Sequence, residues 1–175
     1  PPMTSLRLML MSPPLDVQSH RTDVAGTTPA LASHDRRTVG DAAMSYTLKD
    51  LVRRASVVNP DGIALITTGG GLTWQAFESR VRSIAVALAA RGLKPGDRVA
   101  IIGNTGPHYF EMLYAALWAG GVVAPINTRF AQREIIHCLD DLDGVWICSD
   151  EQYLPVAEAV RPYAGQVHGL VFMGP

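Results

Sequence analysis

The stretch Arg98 to Asn127, "RVAIIGNTGPHYFEMLYAALWAGGVVAPIN", passes through three patterns. A short apolar run, RVAIIG, gives way to a turn of Asn, Thr and Gly. A long segment that is apolar nearly all round follows, and then a second short apolar run, VVAPIN. A short apolar run bounded by turn residues fits a strand buried on both faces. Pro107 stands where a first helical turn would begin, since it lacks only an amide hydrogen that has no intrahelical partner there. Gly120-Gly121 ends the helix. Strand, helix and strand in this order predict two parallel strands joined by a right-handed crossover.

The alternation extends in both directions. Upstream, "IALIT" at 63–67 reads as a strand. In "QAFESRVRSIAVALAARG", Phe77, Val81, Ile84 and Leu88 recur at the spacing of an amphipathic helix, which Gly92 stops. Downstream, "REIIHCLDDL" reads as a helix and "GVWICSD" as a strand. "EQYLPVAEAV" follows as a helix with Pro155 in its first turn, and "VHGLVF" as a last strand. The expected class is α/β, a layered parallel sheet of βαβ units.

Three glycines in "ITTGGGLTWQAF", 66–77, suggest a phosphate loop. Such a loop aims backbone amides at the anion and opens a helix at once, adding its positive dipole end. Here the glycines lead into "LTW" and the helix waits until after Thr73, so a hairpin turn built on positive φ is expected instead. No G-x-x-x-x-G-K-[ST] occurs, and Lys49 and Lys94 are the only lysines. "GNTG" at 103–106 is better placed for an anion, between a strand and a helix, but it lacks a full fingerprint.

Composition bounds the rest. Hydrophobic residues make up 47% of the 175, enough for a packed core, and the net charge of −1 carries no basic stripe for nucleic acid. Cys138 and Cys148 form no C-x-x-C pair and are expected as free thiols in a reducing compartment. His137, Cys138, Cys148 and His168 match the spacing of no zinc module, so no metal is expected. No run is long enough to span a membrane, and "LRLMLM" is too short for a signal peptide. A cytoplasmic location is expected. Residues 1–43 hold five of the twelve prolines and no sustained period, which predicts a disordered segment, with the folded part running over 44–175 from Met44.

The order of segments resembles the N-terminal part of the adenylate-forming superfamily, which includes acyl-CoA synthetases. "LTWQAF" is similar to its first core motif and "LWAGGVVAPIN" to its second. The stretch from "GLKPGDRVAIIG" to "REIIHCLDDLDGVWICSD" keeps the expected intervals, so the likeness covers about Tyr46 to Pro175. Asn127 and Arg129 in "PINTRF" are similar to acyl-CoA synthetases and are the candidate cofactor-binding residues; as scaffold, Asn127 would shape the turn and Arg129 would pair with a carboxylate. Ala76 departs from the family pattern, which places Glu three residues after the motif Thr, so Thr73 would cap the helix without the reciprocal bond.

The resemblance implies a carboxylic acid, fatty or aromatic, attacking ATP held by Mg²⁺ to give an acyl-adenylate, and then coenzyme A taking the acyl group. It also implies that the phosphate loop, the magnesium glutamate and the catalytic lysine lie beyond the last motif present here. A partial domain truncated before the ATP-phosphate loop is thus expected, with no catalytic residue, no activity alone and no strong hold on these cofactors. The alternative is a non-catalytic interaction module or remnant docking on another chain, with self-association through exposed sheet edges. A third reading is a nucleotide site at "GNTG". His108, Tyr109 and Glu111 are expected as surface helix residues, Met112, Leu113, Tyr114 and Trp118 as buried, and Asp140, Asp141 and Asp143 as a solvated helix end.

Overall fold

The computed structural model describes residues 47–67, 69–142 and 144–174. The segment 1–43 expected to be disordered therefore lies outside the described residues. The first helix, α1 (Leu48–Val58), is capped by Asp50. Its Oδ2 accepts the Thr47 main-chain N–H at 2.9 Å and the Thr47 hydroxyl at 2.6 Å. Strands β1 (Ile63–Thr67) and β2 (Gly70–Thr73) then form an antiparallel hairpin closed by the pair Thr67–Gly70. Gly70 has φ +120°, a conformation that side chains rarely adopt. The glycines turn the chain, as their distance from the next helix predicts. That helix, α2 (Trp74–Ala90), is capped by Thr73, whose hydroxyl oxygen accepts the Ala76 N–H at 3.2 Å.

The remaining elements alternate as the sequence predicts: β3 (Arg98–Ile102), α3 (Pro107–Trp118), β4 (Val122–Pro125), α4 (Gln132–Asp141), β5 (Val145–Ser149), α5 (Leu154–Val160) and β6 (Val167–Phe172). The largest boundary difference is at α5. The helix expected from Glu151 begins at Leu154, because the Asp150 carboxylate draws in the Tyr153 N–H at 3.0 Å and holds the intervening residues in a turn.

The four strands β3 to β6 form one parallel sheet in the order β4-β3-β5-β6. Val99, Ile101, Trp146, Cys148 and Val171 point to one face, where they pack with Val52 of α1, Phe77 and Leu88 of α2, and Met112 of α3. Ala100, Ile102, Ile147 and Leu170 point to the other face, against Ile135 and Leu139 of α4 and Ala157 and Val160 of α5. Coverage of both faces is why β3 and β5 read as continuous apolar runs rather than alternating ones. The helix apolar nearly all round is α3. Its Met112 is fully buried, while Leu113, Tyr114 and Trp118 are half-buried against the same core.

Gly169 marks a close approach inside this sheet. A Cβ there would lie 2.6 Å from Cζ3 of Trp146, a buried ring paired with it across β5 and β6. Gly169→Ala is expected to cost about 1–3 kcal/mol through overpacking, read as a lower urea midpoint with an unchanged slope.

Candidate functional site

The chain leaves β3 through α3 on one face to reach β4, then returns through α4 on the opposite face to β5 on the other side of β3. The loops after β3 and β5 therefore diverge, and open α/β sheets form their crevices at such switch points. A concavity of about 420 Å³ lies there, lined by His108, Asp150, Glu151, Gln152, Phe172, Met173 and Gly174.

Its polar groups are held by the loop after β3. Asn104 donates its main-chain N–H to Asp150 Oδ2 at 2.7 Å and its side-chain amide to the same oxygen at 3.2 Å. The amide also donates to Gln152 Oε1 at 2.9 Å. Gly103 permits this approach, since a Cβ there would stand 3.1 Å from Asp150 Oδ2 and 3.0 Å from Met173 Cε. The arrangement bears directly on "GNTG": the protein's own carboxylate takes the Asn104 amides and brings a negative charge to the loop. Nucleotide binding at this loop is disfavoured on that ground.

One part of the site departs from the sequence reading. Glu111, expected on the surface with His108 and Tyr109, is 2% exposed. The packing of α3 on α2 turns it inward, where Arg80 of α2 donates to its Oε1 at 3.0 Å and His108 Nδ1 lies 3.1 Å from its Oε2. The signal for this cluster was a single Glu within an otherwise apolar helix, three residues after a His. Only the facing helix could show that Arg80 completes it. Burial pushes the Glu111 carboxyl up, but the hydrogen bonds and charges of His108 and Arg80 outweigh that effect and hold it below its ordinary range.

Asn127 and Arg129 lie at the carboxyl end of β4, outside the lining of the crevice. Asn127 Oδ1 accepts the Arg129 N–H at 3.0 Å, the turn-shaping role expected of it. The carboxylate partner expected for Arg129 is absent: among the described residues it forms no ion pair, because its exposed side chain extends from an edge-strand loop. No group of three or more His, Cys, Asp or Glu suited to a metal occurs among the described residues. Cys148 is sealed in the core beneath α2 and α3, where burial pushes its thiol up to about 12, while Cys138 sits on α4 on the other face. Asp140 accepts the Gly165 N–H at 2.7 Å, and Asp141 lies 3.9 Å from His137; Asp143 is outside the described residues.

The family model for the AMP-binding enzyme matches residues 52–168, from α1 into β6. The chain belongs to the AMP-binding enzyme family. Among relatives, a feruloyl-CoA synthase of Amycolatopsis sp is 41% identical over 90 residues, covering 51% of this chain and 18% of that protein. The fatty acid–acyl-carrier-protein ligase ScoC of Streptomyces coeruleorubidus is 35% identical over 99 residues, covering 57% and 19%. A structure from Rhodopseudomonas palustris assigned as a long-chain-fatty-acid CoA ligase superposes with a TM-score of 0.70 at 28% identity, covering 76% of this chain and 34% of that one. The fold is thus that of the N-terminal part of acyl-CoA synthetases, and the chain spans about a fifth of the length of these curated relatives.

The Glu111 cluster predicts acid sensitivity. Its carboxyl is depressed in the folded state, so its contribution is fully present above the unfolded value of about 4.3 and is lost as pH falls through the lower folded value. Glu111→Gln is expected to lose about 1–2 kcal/mol near neutral pH, less than for a fully buried pair because Arg80 can regain water. In paired urea melts, the gap between wild type and variant should narrow as pH is lowered below 4.3.

Proposed function

We propose that these residues form the scaffold of an AMP-forming ligase that joins a carboxylic acid to coenzyme A at the expense of ATP. The observation that supports this most directly is the family match across 52–168, on a sheet whose strand order and helical layers superpose on a CoA ligase. The substrate class in this reading is a fatty or aromatic acid, as the names of the relatives suggest. ATP, Mg²⁺ and coenzyme A are the cofactors of the complete reaction. The attacked α-phosphate of ATP calls for cations and amide donors converging on it. No Ser/Thr/Gly-rich loop bearing a lysine occurs in the 175 residues, so in this reading the chain by itself is inactive.

Within that reading Asn127 is a shaping residue and Arg129 is a candidate to meet a cofactor phosphate. The first is already engaged by the turn, and the second is exposed and has no ion-pair partner among the described residues. A docking role for the chain draws on a different feature. In the described sheet β4 and β6 are the outer strands, and Pro125 removes a ladder donor from β4, which leaves β6 as the edge open to a second copy.

A chimera separates scaffold from catalysis. Residues 47–174 would replace the corresponding N-terminal segment of the Amycolatopsis feruloyl-CoA synthase, and thioester formation with ATP and coenzyme A would be followed. The chimera is expected to form feruloyl-CoA, while the 175-residue chain alone gives none. A folded but inert chimera would count against the scaffold reading, and thioester formation by the chain alone would refute its inactivity. Arg129→Ala in the chimera is expected to raise KM for a phosphate-bearing cofactor with little change in kcat.

A further inference from the structure

We draw no further inference here: the strongest candidate, the exposed apolar stripe of Leu48, Leu51 and Val58 along α1, carries nothing because nothing in the structure shows what covers it in a chain that spans about a fifth of the length of its curated relatives.

Discussion

β3 is hydrogen-bonded on both edges and covered on both faces, and the rest of the domain is arranged to meet those demands. Its backbone pairs with β4 on one side and β5 on the other. Its side chains alternate between the two cores, Val99 and Ile101 to one and Ala100 and Ile102 to the other, all without measurable exposure. A strand in this position leaves no backbone polar group for water, so every neighbour must be present for it to be stable. Helices on both faces follow, and the right-handed crossover leaves one route for each. The reversal of strand order beside β3 then opens the crevice at the carboxyl ends.

The Glu111 cluster shows how a buried charge is tolerated in such a core. An isolated carboxylate there would be costly to desolvate. Arg80 and His108 reach it from two directions, and Arg80 keeps its outer side in solvent. The result joins α2 to α3 through a contact that an apolar pair could not orient, on the same wall of the domain where Phe77 and Tyr114 meet edge to face. Asp150 plays the corresponding part beyond the strand ends, where it binds the loop after β3 to the start of α5. Two carboxylates therefore fix the geometry on either side of His108, and neither is placed to bind an anion.

Much of the fold was legible before any coordinates. The βαβ order, the glycine hairpin at 63–73, the start of α3 at Pro107 and the cap at Thr73 rest on short-range rules: period, turn chemistry and orphan amides. The site was less legible. Asn127 acts on an amide two residues away, a contact within reach of short-range rules. The carboxylate expected for Arg129 is not there, and the burial of Glu111 was missed. Both depend on which element lies opposite.

The sequence by itself determined the class of fold, the order of strands and helices along the chain, and membership in a family whose motifs are local runs of residues. These follow from interactions between residues close in the chain. The tertiary structure alone decided the order β4-β3-β5-β6 across the sheet, the joining of Arg80 to Glu111 across 31 positions, and the clasp of Asn104 on Asp150 across 46. It also decided that α1 turns Val52 and Ser56 inward and its leucines out. The helical pattern of α1 allows more than one rotation, and packing against α2 and α3 selects among them.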